Sequence, residues 1–140
     1  KILQRSVDEL VSVTEGLMNE YGLPSWISSY NELFTVASLV EAESKRQEDR
    51  PLVSSVVKNR LNDNMLIQID ATVLYALQKR KSQVLLVDLQ IDSPYNTYKY
   101  LGLQHTPITG VVERSIKADL AHHDNDYLYT QLNTKHVDTT

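Results

Sequence analysis

At 140 residues the chain has material for one domain built on a single core. Hydrophobic residues at 41%, charged residues at 23% and a net charge of −4 describe an ordinary globular composition with no electrostatic case for a nucleic-acid partner. Cysteine is absent, which excludes disulfides, thiolate metal sites and cysteine nucleophiles together.

Nothing approaches an apolar run of about 18 residues, and no basic n-region followed by an h-region opens the sequence. The first residue is Lys1 rather than Met, so the sequence is read as an excised or processed fragment. Residues 2–21 place Leu3, Val7, Leu10, Val11, Leu17, Met18 and Tyr21 at helical spacing, with Ser6 and Glu9 as an internal cap. The pattern stops at Gly22 with Pro24 beyond, which predicts an amphipathic helix packed on its neighbours. Trp26 and Tyr30 follow in a loop, where a single Trp is more often a core anchor than a sugar platform.

From Tyr30 to Gln47 the chain reads YNELFTVASLVEAESKRQ. Ser29 and Glu32 have the spacing of a capping box, and Leu33, Val36, Ala37 and Val40 recur at helical spacing, which predicts a helix with one buried face. Glu41 and Glu43 arrive directly after the apolar run and before Lys45-Arg46. On a helical wheel Glu41 sits above Phe34, Ala37 and Ser38, and Glu43 above Val36, Leu39 and Val40, so either carboxylate can be half-buried. A carboxylic acid held against apolar side chains has its pKa raised from about 4.3 toward about 6, where it can donate a proton near neutral pH. Most Glu residues on amphipathic helices are merely solvated, so this helix alone does not make a catalytic site.

Arg50-Pro51 predicts a helix start with Pro at its first position, and Leu52, Val53, Val56, Val57 and Leu61 give the apolar face. Arg60 suits either a charge at the helix end or a place beside a cleft. Asn62-Asp63-Asn64 signals a turn, Met65 to Ile69 a short strand, and Asp70 the N-cap of a helix over 71–79. That arrangement brings Gln68, Asp70 and Thr72 together at a strand-to-helix junction. Lys79-Arg80-Lys81 reads as a solvated basic turn, and Val84 to Leu89 as a short strand or a buried helix. Ser93-Pro94-Tyr95-Asn96-Thr97-Tyr98 is too polar and too aromatic for core alone. Its hydroxyls, amide and ring faces are groups that hold sugars, although aromatic loops also serve as lids on a core. Glu113 to Ala121 predicts a helix with Ile116 and Leu120 inward. Tyr127-Leu128-Tyr129 and Lys135-His136-Val137 read as two strands of a terminal hairpin, the last incomplete or frayed at Thr140.

Other chemistries find little support. His105, His122, His123 and His136 lack the i, i+4 spacing of a metal pair, and there is no H-E-x-x-H, so no metal is expected. No G-x-S-x-G elbow and no phosphate-cradling glycine motif occurs, so neither a serine hydrolase nor a bound nucleotide cofactor is expected. No internal repeat or low-complexity segment is present.

Several blocks stand in one order: ASLVEAES, then Asp49-Arg50-Pro51-Leu52-Val53, SVVKNRL over Ser55 to Leu61, Met65 to Asp70, and Thr72-Val73-Leu74-Tyr75. They continue through IDSPYNTY over Ile91 to Tyr98, Gly102-Leu103 and Asp126-Tyr127-Leu128-Tyr129. Order and spacing together, over roughly residues 33–137, resemble the YceG-like (MltG) endolytic murein transglycosylases. The resemblance implies an α+β fold, with three to five helices packed around a small, mainly antiparallel sheet and a catalytic Glu at the end of a central helix. It also implies non-hydrolytic cleavage of the MurNAc-β-1,4-GlcNAc bond of peptidoglycan glycan strands, without a cofactor. Glycosidases usually use two carboxylates. A lytic transglycosylase needs one, because the nucleophile is the 6-hydroxyl of the reacting sugar.

In the family the acid follows a Ser-[Ile/Leu]-Val run, which here points to Glu41; Glu43 is the alternative, with support of Arg46 or Arg50 as its other role. The resemblance further implies Arg60, Gln68, Asp70, Thr72, Tyr75, Ser93, Tyr95, Asn96, Thr97 and Tyr98 as substrate-binding residues, with 93–98 as one wall of the glycan groove. Members carry a membrane-spanning helix and a LysM-like subdomain ahead of the catalytic part. The whole protein is therefore expected to be a single-pass cell-membrane protein with an extracytoplasmic catalytic domain, and peptidoglycan synthases are implied as partners. Residues 1–140 are expected to be a single catalytic-domain fragment.

Gln104-His105-Thr106-Pro107-Ile108 stands where the family has a Pro-Pro-Gly-Pro-Ile type turn, Val111-Val112 where it has a second Pro-Gly, and Asn64 and Ala71 where it tends to have Gly and Pro. These changes alter the backbone freedom of the loops and with it the groove. They motivate a second reading, a non-catalytic glycan-binding or scaffold module of a wall-synthesis complex, which predicts glycan affinity without turnover. A third, a pyridoxal-phosphate aminodeoxychorismate lyase, is a label attached to the family; it finds no phosphate-cradling turn and no room for a two-domain cofactor cleft.

Overall fold

The structure is a computed structural model that describes residues 2–79, 83–121 and 125–129. Helix α1 (Ile2–Tyr21) closes at Gly22, whose φ of 78° is a left-handed conformation that glycine adopts without a Cβ clash. Helix α2 (Tyr30–Glu43) is capped by Ser29, whose hydroxyl accepts from the Glu32 N–H at 3.1 Å. The Glu32 carboxylate reaches one residue further back than a capping box requires, accepting from the Ser28 N–H and hydroxyl at 2.8 and 2.9 Å. The helix stops at Glu43 rather than Gln47, and Gln47–Asp49 forms a separate 3-10 turn leading into α3 (Arg50–Asn62), with Pro51 in its first turn. Helix α4 (Asp70–Leu77) has Ile69, not Asp70, as its N-cap. Helix α5 (Glu113–Leu120) buries Ile116 and Leu120, as its spacing predicts.

The core lies on two sides of α2. Leu33 and Ala37 join Leu17 of α1, Ile27, and Ile116 and Leu120 of α5 in one cluster. Val36, Leu39 and Val40 join Val53 and Val57 of α3, Ile67, Ile69 and Ala118 in the other. Trp26 packs against both clusters, which makes it a core anchor. Because Thr35 and Ser38 are buried along with the apolar residues, α2 is enclosed nearly all round and is not the one-faced helix that its periodicity suggests.

The expected α+β fold is corrected: the chain is helical, and among the described residues there is no strand and hence no antiparallel sheet. Side chains take the backbone groups that a ladder would have used. Arg60 donates from Nε to the Leu128 carbonyl at 2.7 Å and from Nη1 to the Leu66 carbonyl at 2.8 Å, and Asn59 Nδ2 donates to the Tyr127 carbonyl at 2.8 Å. With those carbonyls satisfied, neither 65–69 nor 127–129 needs a partner strand. Gln68, with φ of 56°, also breaks the run from Met65 to Ile69. The stretch Lys135-His136-Val137 lies outside the described residues, as do Arg80 and Lys81 of the basic turn. The run from Val84 to Leu89 is neither strand nor buried helix. Leu86–Gln90 is a 3-10 turn in which Leu86 and Val87 are 84% and 72% exposed, and it is fixed by Asp88 accepting from the Leu85 N–H at 2.9 Å.

Candidate active site

The last turn of α2 places its two carboxylates in different surroundings. Glu41 meets Arg50 of α3 in a bidentate pair, Nε to Oε1 at 3.1 Å and Nη2 to Oε2 at 3.0 Å. Both of its oxygens are engaged, and the pair ties the end of one helix to the start of the next. Glu43 is half-buried, and among the described residues no hydrogen bond holds its carboxyl. Burial raises its pKa above the ordinary carboxylate value and the charge of Asp70 raises it further, with Lys45 pulling the other way.

Asp70, in the first turn of α4, accepts a hydrogen bond from the Tyr98 hydroxyl. Burial, then the hydrogen bond and charge of Asp70, then the charge of Glu43 push the Tyr98 hydroxyl upward, with Arg60 opposing, so Tyr98 remains a protonated donor. Glu43, Asp70 and Tyr98 thus form one electrostatic cluster. It is assembled by staples between the 67–72 junction and the 95–98 loop. The Gln68 N–H donates to the Thr97 carbonyl at 3.1 Å, the Ile69 N–H donates to Thr97 Oγ1 at 2.9 Å, and the Thr72 and Thr97 hydroxyls are 2.8 Å apart. Asn96 Nδ2 donates to the Leu89 and Ile91 carbonyls at 2.9 and 2.8 Å, and its Oδ1 accepts from the Tyr98 N–H at 2.9 Å.

Thr72, Asn96 and Thr97 are completely buried, and their hydrogen bonds go to the chain itself, which makes them supports for Asp70 and Tyr98. Arg60 is also buried; besides bracing the backbone it donates to Gln68 Oε1 at 3.3 Å, and its guanidinium lies 5.0 Å from the Tyr129 ring centroid. Gln68 itself is exposed. A groove of about 840 Å³ is lined by Tyr75, Ser93, Pro94 and Tyr95, and reaches Ala42 and Ala71, the chain neighbours of Glu43 and Asp70. That volume suits a ligand site. The rings of Tyr75 and Tyr95 stand 4.9 Å apart at 56°, and the Tyr95 and Thr106 hydroxyls are 2.7 Å apart. The 93–98 loop therefore gives the groove a wall through Ser93 and Tyr95, while Asn96 and Thr97 point into the fold.

A model of the YceG-like family matches residues 1–139. The chain belongs to the YceG-like family. This YceG-like chain is 48% identical over 101 residues to the endolytic murein transglycosylase of Bacillus subtilis (strain 168), covering 72% of the chain and 28% of that protein. It is 34% identical over 134 residues to the endolytic murein transglycosylase of Streptococcus pneumoniae serotype 2 (strain D39 / NCTC 7466), covering 91% and 24% respectively. Its fold matches the crystal structure of a yceG-like protein from Listeria monocytogenes with a TM-score of 0.78 at 36% identity, over 89% of this chain and 40% of that one. The YceG-like chain spans about a quarter of the length of these curated relatives.

Sequence reasoning missed the pairing that separates the two carboxylates. It offered Arg46 or Arg50 to Glu43, whereas Arg50 goes to Glu41 and Arg46 pairs with Asp49 at 3.0 Å. Glu41 and Arg50 are nine positions apart across a helix break, beyond the reach of any helical periodicity. Among the described residues no group of three or more His, Asp and Glu could hold a metal ion.

Proposed function

We propose that this chain is the catalytic part of an endolytic murein transglycosylase and that its general acid is Glu43. The single observation that carries the assignment is the half-buried Glu43 carboxyl, raised in pKa by burial and by the Asp70 charge and held by no hydrogen bond among the described residues. The family motif points to Glu41, but both oxygens of that residue face Arg50. Protonated Glu43 gives its proton to the bridging oxygen of the MurNAc-β-1,4-GlcNAc bond, and the GlcNAc side leaves as an alcohol. The 6-hydroxyl of the same MurNAc then closes on the anomeric carbon while Glu43 takes up the hydroxyl proton, leaving a 1,6-anhydro-MurNAc end. One carboxyl serves twice because the nucleophile is already attached to the reacting ring. Burial and then the charge of Asp70, which is held by Tyr98, favour the protonated form of Glu43, and Asp70 stabilises positive charge developing on the sugar. Tyr75, Ser93 and Tyr95 supply ring faces and a hydroxyl along the strand, and Gln68 an exposed amide.

For the whole protein this reading carries a single-pass membrane anchor, a catalytic part outside the cytoplasm where glycan strands lie, and peptidoglycan synthases as neighbours. None of the described helices is long and apolar enough to cross a membrane. The reading is tested by digesting purified, uncrosslinked glycan strands with the chain, Glu43→Gln and Glu41→Gln, with products read by mass spectrometry. Anhydro ends lost only in Glu43→Gln support the assignment. Loss only in Glu41→Gln moves the acid to Glu41, and a folded parent chain that binds strands without making such ends supports a scaffold role instead.

A further inference from the structure

Far from the acid in sequence, Ser54 of α3 and Asp119 of α5 meet between their helices, Ser54 Oγ donating to Asp119 Oδ1 at 2.7 Å with each residue 2% exposed. The other carboxyl oxygen, Oδ2, is buried with no hydrogen-bond partner. Leaving a buried polar atom unpaired costs on the order of 1–3 kcal/mol, so its retention calls for an account. Burial pushes the Asp119 carboxyl well above the usual range, with the Ser54 hydroxyl drawing it partly back. The group is therefore held toward its neutral form, which can both donate and accept.

Asp119 lines a cavity of about 410 Å³ whose wall also includes Tyr21, Pro24 and Trp26 as apolar surfaces and Ser54 and Asn62 as polar ones. It shares no lining residue with the groove beside Glu43. We propose that this cavity is a second saccharide-binding site, which takes one sugar ring of a glycan strand with its apolar face on Trp26 and Tyr21 and its hydroxyls on Asp119 and Asn62. The choice of a glycan as occupant rests on the reading of the Glu43 groove as glycan-cleaving. Three properties of the cavity agree with it. A purely apolar ligand would leave Oδ2 unpaired. A free ammonium would need the charged carboxylate that burial disfavours. A pyranose offers one apolar face and a rim of groups that both donate and accept, which matches a lining that combines aromatic rings with a carboxyl held toward its neutral form.

Amide and indole resonances of the chain, titrated with N-acetylglucosamine trisaccharide, separate the two sites by location. Saturable shifts are expected at the Trp26 indole and the Ser54 and Asp119 amides, with a midpoint distinct from that at Tyr95 and Tyr98. Asp119→Ala and Tyr21→Ala should each weaken the Trp26 set about tenfold, the scale of one lost polar or stacking contact, and leave the Tyr95 set unchanged. Tyr21 is 37% exposed, so its removal tests the site without opening the core. Shifts confined to Tyr95 and Tyr98, or variants that bind as tightly as the parent, overturn the proposal. Shifts at Trp26 alone keep it and defeat the reading of the Glu43 groove; silence at both locations defeats both.

Discussion

Glu41 and Arg50 face each other through two hydrogen bonds of 3.1 and 3.0 Å that join α2 to α3 across a turn, with their side chains only 27% and 13% exposed. Removing one partner leaves the other charge partly desolvated. Glu41→Gln should therefore lower unfolding stability by about 1–3 kcal/mol, the scale of a charge-assisted hydrogen bond, in urea denaturation. Anhydro ends should still form where the variant is folded. Arg50→Gln should cost a similar amount and the double variant little more. Additive losses around that cycle would show that the two side chains do not act together.

The Glu43 acid predicts how rate depends on pH. Donation requires the protonated form, so activity falls as pH rises through the Glu43 pKa, which burial and Asp70 place above the ordinary carboxylate range. Asp70→Asn removes the neighbouring negative charge, lowers that pKa and moves the alkaline limb to lower pH. The rate at pH 7 should drop about three- to tenfold while the acid-side plateau changes less. Lys45→Ala removes a lowering charge and should move the limb the other way. An alkaline limb unmoved in both variants would disconnect Glu43 from the rate.

Arg60 is the brace on which the region after α3 depends. Its guanidinium holds the Leu66 and Leu128 carbonyls, reaches Gln68 Oε1 and stacks against Tyr129. Arg60→Ala leaves those part-buried carbonyls without donors, empties the buried place of the Arg60 side chain and should destabilise the chain by about 2–4 kcal/mol. Arg60→Lys should recover little, since one ammonium cannot span acceptors that the planar fork reaches together. Full rescue by Lys, seen in thermal unfolding, would reduce Arg60 to a point charge.

The same brace explains which parts of the fold were legible in the sequence. Helices α1, α2, α3 and α5 announce themselves through period and punctuation: Gly22 with a left-handed φ, Ser29 as a cap, Pro51 in a first turn. The absence of strands at 65–69 and 127–129 could not be read locally, because Asn59 and Arg60 satisfy those carbonyls from another element, up to 68 residues away. The enclosure of α2 was hidden by its polar residues. Ser38 fits the core because its hydroxyl donates to the Thr35 carbonyl at 2.7 Å and accepts from the Ile108 N–H at 3.1 Å. At the site, the 93–98 loop is visible as an aromatic and polar run, yet which of its residues face inward is not, since a turn has no two-fold alternation. Asp119 could have been noticed: Ile116 and Leu120 face inward, and Asp119, three positions after Ile116, shares that face.

Asn64 and Gln68 both adopt left-handed backbone, with φ of 57° and 56°. Asn64 follows the C-cap of α3, a position that favours Gly. Asn64→Gly relieves the Cβ clash and should raise stability by up to about 1 kcal/mol. Gln68→Gly relieves the same clash but removes the acceptor that Arg60 uses, so its net gain should be smaller. Equal gains in thermal unfolding would mean that the Arg60 contact contributes nothing.

Asp119 predicts how stability itself depends on pH. Its folded pKa lies well above the unfolded value of about 3.9, so the folded chain holds this proton more tightly than the unfolded one. The associated stability is complete below about pH 4 and is lost as pH rises through the folded value. Glu43, also raised, acts with the same sign. Asp119→Asn removes the titration while keeping an acceptor for the Ser54 hydroxyl. Relative to the parent, Asp119→Asn should gain stability over the interval in which pH rises from about 4 through the folded value, measured as the difference between urea midpoints. A difference that stays flat over that interval would mean that Asp119 titrates alike in the folded and unfolded chains, and its burial between α3 and α5 would then carry no electrostatic penalty.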